Sequence, residues 1–212
     1  MPEVVHAHES VSKQIARERA RDALGMVGIP SPEERLSAYP HQFSGGMRQR
    51  VVIALALCAQ PRLIIADEPT TALDVSIQAQ IIGLLKRVAR EHQTAVMLIT
   101  HDMGVIAETA HRVAVMYAGR IVEIGGVREV LQAPRHPYTV GLMRSIPRVG
   151  ATGRRLAQID GSMPRLNAIP TGCAFHPRCP QRFDRCDCER PDLIDADDRL
   201  AACWLYDHAT VE

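Results

Sequence analysis

The chain has 212 residues, with 25 Lys+Arg against 24 Asp+Glu and a net charge of +1. That length suits one full core plus a small appendage, and the charge balance gives no bulk electrostatic case for nucleic-acid binding. The longest apolar run, 51–59, is far short of the roughly 20 residues that cross a bilayer, and MPEVVHAHES lacks a charged leader, so a soluble, cytosolic chain is expected.

Residues 10–27 predict an amphipathic helix: Val11, Ile15, Ala16, Ala20, Ala23, Leu24 and Val27 recur at helical spacing, and Gly28, Pro30 and Pro32 end it. His6 and His8 before it are expected on a mobile terminus. A loop runs to Phe43, and a helix is expected from about Met47 to Ala59. Leu63 to Ala66 reads as a short strand buried on both faces. Residues 75–91 predict a helix with Ile77, Ile81, Leu84, Leu85 and Val88 on one side and Asp74 as its cap. Ala95 to Thr100 is a second strand, 103–110 a helix, and RVAVMY and RIVEIG are strands around a turn at Ala118-Gly119. The alternation predicts an α/β fold with a parallel sheet. Beyond residue 146, Pro147, Pro164, Pro170, Pro177, Pro180 and Pro191 break the chain and periodicity fades.

Two spots carry phosphate chemistry. Ser44-Gly45-Gly46 precedes a strong helix; Ser44 can cap it, and the glycines allow close approach of backbone N–H groups to an anion. The same three residues also suit an ordinary capped helix start. Asp67 and Glu68 end the strand LIIA, where adjacent residues point to opposite faces, so one carboxylate can face a metal and the other a water. Two solvated carboxylates at a strand end are the competing description. His101 ends the second strand, at the carboxyl edge where α/β sheets bind ligands.

Cysteines are unevenly placed. Cys58 lies alone in an apolar helix, as a small core residue would. Cys173, Cys179, Cys186, Cys188 and Cys203 crowd the last part of the chain, which in a cytosolic protein favours metal over disulfides. The gaps in Cys173, Cys179, Cys186 and Cys203 are wider than the tight pairs of most zinc modules and suit a loop around a larger centre such as a four-iron cluster. Zinc stays open as the alternative. Cys188 falls outside the pattern and could exchange with Cys186.

LSAYPHQFSGGMRQRVVIALAL, LIIADEPTTALD and ITHD, in that order, resemble the signature, Walker B with D-loop, and switch-histidine motifs of the ATP-binding-cassette (ABC) family, with FSGGM for the commoner LSGGQ. The tail, with HPYT at 136–139 and GCAFHPRCP at 172–180, resembles the C-terminal extension of oligopeptide and dipeptide importer ATPases. The resemblance implies that Asp67 binds Mg²⁺ through water and that Glu68 polarises the attacking water. It implies that His101 contacts the γ-phosphate and that Asp74 links two nucleotide sites. It gives Ser44, Gly45 and Gly46 a place against a partner subunit's ATP. Some members of the branch carry a four-iron cluster, and the four cysteines match.

The implied fold is an incomplete P-loop NTPase of the ABC ATPase kind, with a helical segment and a small Cys-rich C-terminal module. Residues 1–125 would be the C-terminal portion of the nucleotide-binding domain, and 126–212 the transporter-type extension. The family's GxxGxGK[ST] loop is absent from these residues, so an N-terminally truncated form is expected, inactive alone. The implied partners are a second ATPase subunit and transmembrane permease subunits, at the cytoplasmic face of the cell membrane. An inactive fragment serving only as a metal-cluster or interaction module is the alternative. DNA-repair and translation cassette ATPases lack the HPYT and GCAFHPRCP tail.

Overall fold

The computed structural model describes residues 1–71, 73–146 and 158–207. They divide into two compact units, Met1–Val105 and Ile106–Glu212. The boundary expected between 125 and 126 falls at the end of a strand of the second unit. Pro147, one of the expected chain breaks, lies outside the described residues.

The first unit begins with helix α1 (Pro2–His8), where a mobile terminus was expected. Pro2 suits a first helical position, and Val5 is buried in the core, which ties the helix down. Helix α2 (Lys13–Met26) starts at Ser12, whose hydroxyl accepts from Ile15 N at 3.3 Å. Ala16, Ala20, Ala23 and Leu24 form its buried stripe. Arginines from two other helices satisfy carbonyls left open at and just beyond its C-terminus: Arg50 donates to Val27 O at 2.8 Å and Arg87 to Met26 O at 3.0 Å. The short α3 (Pro32–Arg35) and a 3₁₀ turn (Pro40–Gln42) lead to α4 (Gly45–Leu57).

Strands β1 (Leu63–Asp67) and β2 (Ala95–Ile99) pair in parallel, from Leu63 beside Ala95 to Asp67 beside Ile99. Helix α5 (Val75–Glu91) is the crossover between them, and Ile81, Ile82, Leu84, Leu85 and Val88 bury its inner side. Ile64 and Ala66 face the core. Leu63, Ile65, Met97 and Ile99 line the opposite face, with Ile65 62% exposed. The expectation of burial on both faces therefore fails, because among the described residues the helices cover one face only. Helix α6 (Met103–Thr109) follows β2.

In the second unit β3 (Arg112–Tyr117) and β4 (Arg120–Gly126) are antiparallel. A two-residue turn can join strands in no other way, and Ala118 and Gly119 both take the positive φ such a turn demands (47° and 78°). Two short strands, β5 (Ile194–Asp195) and β6 (Leu200–Ala201), extend the sheet in the order β3-β4-β6-β5. Helices α7 (Val127–Gln132), α8 (Pro137–Ser145) and α9 (Asp184–Cys188) complete the unit. The core is aromatic: Tyr117, Tyr138 and Phe175 meet with ring centroids 4.7–5.6 Å apart, a separation that favours edge and tilted packing.

Buried polar groups fix this unit. Glu123, fully buried on β4, accepts from Arg135 N and His136 N, both at 2.9 Å. Arg199, also buried, reaches Glu123 at 4.0 Å and donates to the carbonyls of Glu129 and Ala133, at 2.6 and 2.8 Å, near the end of α7. His136 caps α8, its Nδ1 accepting from Tyr138 N at 3.1 Å. Burial pushes the His136 imidazole down to about 4. The unfolded chain therefore binds a proton that the folded chain refuses, and stability present above about 6.5 is lost as the pH falls toward 4. Urea unfolding should show a loss of about 3 kcal/mol across that interval, and His136→Asn should flatten the slope.

Candidate functional site

The carboxyl ends of β1 and β2 form the first site. Asp67 is the last residue of β1 and is exposed. Glu68 leaves the strand in a left-handed conformation, φ 44°, while its N–H still donates to Ile99 O at 2.9 Å. Glu68 thus lies just past the strand, in the turn, and not on the alternating strand the sequence suggests. A non-glycine residue at such a φ is costly and persists only where its surroundings hold it.

Two side chains hold the Glu68 carboxylate. Thr71 Oγ1 donates to Oε2 at 2.8 Å, and His101 Nδ1 lies 3.2 Å from Oε1. The Thr71 hydroxyl first, and the His101 ring second, hold the Glu68 carboxyl below the usual carboxylate range. Its exposure to solvent also favours the ionised carboxylate at neutral pH. His101 is 83% exposed, leaving its far ring edge open.

Ser44, Gly45 and Gly46 open helix α4. The Ser44 hydroxyl accepts from Met47 N at 3.3 Å. Gly46 permits a close helix approach, since a Cβ there would stand 2.8 Å from Ile77 Cγ2 of α5. Asp74 caps α5, its Oδ1 accepting from Ile77 N at 3.0 Å and Ser76 Oγ at 2.7 Å. The backbone N–H of Ile77, then the Ser76 hydroxyl, lower its carboxyl. The structure thus joins Glu68 to His101 and seats the glycine turn beside the start of α5. Among the described residues no hydrogen bond links the Ser44 turn to Glu68 or His101. Thr71 and Gln78 were not singled out by the sequence reading. Thr71 lies within ADEPTT, and Gln78 stands four residues beyond Asp74, so only their place near the acidic pair and the cap could have marked them.

The second site lies in the second unit. Cys173, Cys179, Cys186 and Cys203 line one cavity of about 20 Å³, with His136, His176, Phe175 and Trp204 among its walls. Cys173 N donates to Cys186 O at 2.8 Å, drawing two of the cysteine segments together. Gly172 makes this approach possible: its φ is +66°, and a Cβ there would lie 2.3 Å from Cys186 O. Cys188 is exposed and does not line the cavity, and all six thiols are free. Burial pushes the thiols of Cys173 and Cys179 up, and that of Cys203 to about 12. Among the described residues no three His, Cys, Asp or Glu side chains are arranged to hold a metal ion. Cys58 is buried in the first unit's core, as its apolar setting implied.

A family model for ABC transporters matches residues 2–71, and one for the oligopeptide/dipeptide transporter C-terminal region matches 122–186. The dipeptide transport ATP-binding protein DppD of Bacillus subtilis is 52% identical over 206 residues, 97% of this chain and 62% of its own length. DppD of Escherichia coli is 50% identical over 202 residues, 95% of this chain and 62% of its own. The oligopeptide transport ATP-binding protein OppD of Salmonella typhimurium is 47% identical over 202 residues, 95% of this chain and 60% of its own. The two models match in order along the chain and mark an ATP-binding-cassette protein. The chain belongs to the ABC transporter family, in the branch that bears the oligopeptide/dipeptide transporter C-terminal region. It spans about three-fifths of the length of these curated relatives.

The thiols give a direct chemical test. At pH 8 a thiol raised to about 12 holds roughly one part in 10⁴ as the reactive thiolate. Iodoacetamide should therefore label exposed Cys188 rapidly and leave Cys203 unmodified until urea unfolds the protein, as peptide mass analysis would show.

Proposed function

We propose that the chain supplies nucleotide-site residues of an ATP-hydrolysing subunit in an importer for peptides or related small solutes. The observation that carries this reading is the Glu68–His101 hydrogen bond, 3.2 Å, at the carboxyl end of β1 and β2. Glu68 is an ionised acceptor whose two oxygens are pinned, so a water bound to it is held in one orientation and can yield a proton to it. With Nδ1–H given to Glu68, the His101 Nε2 donates to a phosphate oxygen when the ring is protonated. Asp67 offers a hard, exposed oxygen donor, the type Mg²⁺ prefers; bound Mg²⁺ would neutralise charge on the phosphates. Ser44, Gly45 and Gly46 present backbone N–H groups at the start of a 13-residue helix, the arrangement that suits an anion. Their place in this reading is against the nucleotide of a second ATPase subunit, with Asp74 beside them.

Among the described residues no helix is long and apolar enough to cross a membrane, and the proposal assigns membrane attachment to permease subunits on the cytoplasmic side. The residues contain no GxxGxGK[ST] loop, which supplies most of the grip on β- and γ-phosphates. Phosphate release should therefore be at background for the chain alone and rise when a loop-bearing second subunit is added, and Ser44→Arg should remove that rise. Turnover by the chain alone that Glu68→Gln abolishes would overturn the dependence on a supplied loop. A rise that survives Ser44→Arg would overturn the role of the glycine turn.

We further propose that Cys173, Cys179, Cys186 and Cys203 hold a four-iron cluster as a structural brace for the second unit. Four soft sulfur donors around one cavity support this reading. Zinc, which four thiolates also hold, is the second reading. A chain serving only as a metal-braced interaction module would keep this site and lose the nucleotide role. Metal analysis of anaerobically purified protein decides between the metals: a brown protein with four irons supports the cluster, and a colourless protein with one zinc overturns it. Cys203→Ala should lower metal content under either.

A further inference from the structure

We propose that Gln78 is a positioning residue that ties helix α5 to the turn carrying His101, through a hydrogen bond from its amide to Asp102. The proposal rests on the reading of Glu68 and His101 given above and adds to it the residue that sets their geometry.

Gln78 Nε2 donates to Asp102 Oδ2 at 3.0 Å. The direction is fixed by chemistry: an ionised carboxylate only accepts, so the amide nitrogen must face it. Asp102 is otherwise fully engaged. Its Oδ1 accepts from Gly104 N at 2.8 Å and Val105 N at 3.1 Å, which caps α6, and its own N–H donates to Thr100 Oγ1 at 3.1 Å. These three bonds set the shape of the turn at 100–105, and the Gln78 bond anchors it to a different element.

The anchor is a firm one. Gln78 sits one helical turn beyond Asp74, and its N–H donates to Asp74 O at 2.9 Å, so it belongs to the capped first turn of α5. Gln78 is half-buried, and the next turns of α5 are packed into the core by Ile81, Ile82 and Leu85. A closed circuit results. Glu68 is held by Thr71 on one oxygen and His101 on the other. His101 is followed by Asp102, Asp102 is held by Gln78, and Gln78 returns through the Asp74 cap to the segment that begins at Thr71. Without Gln78 the circuit opens on the side of His101, the more exposed partner of the Glu68 pair. At 3.2 Å that pair has little slack before the bond is lost.

The test reads His101 itself, in the nucleotide-free 212-residue chain, by the proton resonances of its ring, assigned by their loss in His101→Ala. Gln78→Leu removes the donor, and Gln78→Glu sets a carboxylate against Asp102. Both should shift the His101 resonances toward their positions in Glu68→Ala, while the melting temperature falls by no more than about 2–4 °C, the scale of 1 kcal/mol for a chain this long. The double variant Gln78→Glu/Asp102→Asn exchanges donor and acceptor and should return the resonances to those of the parent. His101 resonances unmoved in both single variants would overturn the proposal. So would a folded double variant whose His101 remains shifted. Because the readout requires no nucleotide, failure of the chain to support ATP hydrolysis would overturn the proposed function and leave this result standing.

Discussion

The parallel pairing of β1 with β2 is the constraint on which the first site depends. Five residue pairs, ending at Asp67 beside Ile99, bring two chain segments some thirty residues apart to a common edge. Glu68 N–H adds one more bond to Ile99 O. The chain then leaves the strand through a positive φ at Glu68, whose carboxylate meets Thr71 and His101. A one-residue slip of β1 against β2 would reverse the faces of β1. It would bury Asp67 and Ile65, expose Ile64 and Ala66, and take His101 away from Glu68. Burial of Ile64 and Ala66 against the helices, a hydrophobic effect, thereby sets the register of a polar site.

Much of this was legible in sequence. Apolar spacing marked α2 and α5, each with one buried stripe, and apolar runs marked α4 and both strands, to within a few residues. Ser44 and Asp74 announced helix starts, and their hydroxyl and carboxylate do accept the expected N–H groups. Ala118-Gly119 announced the hairpin. What stayed hidden was set by partners distant in sequence. Glu123 looks like one more surface carboxylate in RIVEIG, and only the return of Arg199 and the 135–136 backbone makes it a buried acceptor. Helix α1 carries one buried residue, too little for a periodic signal. The left-handed backbone of Glu68 is a conformation that no local rule foretells for a glutamate.

The two units use polar groups in opposite ways. In the first, the ionised groups that matter are exposed and held by short-range bonds, so solvent shares their charge and the protein supplies direction only. In the second, Glu123, Arg199 and His136 are removed from water and must be satisfied almost completely, since a buried polar group without a partner costs about 1–3 kcal/mol. The difference suits the roles proposed for them. A carboxylate that orients water and a histidine that meets a phosphate must be reachable. A module of about a hundred residues with several very short elements needs interior anchors that admit no alternative arrangement.

That contrast bears on the four cysteines. The thiols of Cys173, Cys179 and Cys203 are raised by burial, so in the protein alone those three hold their protons. A metal bound there must displace those protons, and its affinity must rise with pH. The backbone has already met part of the cost of ordering the ligands. Gly172 allows Cys173 to bond Cys186, His176 bonds Cys173 O through both its N–H and its ring, and Arg178 secures the same loop to Ile159, Asp160 and Tyr117. Three cysteines therefore enter the cavity from one prearranged loop region, and Cys203 closes it from a segment that follows β6. Metal binding in such a site adds a link between the segment after β6 and the 172–188 loop, beside the Arg185–Asp207 ion pair already there.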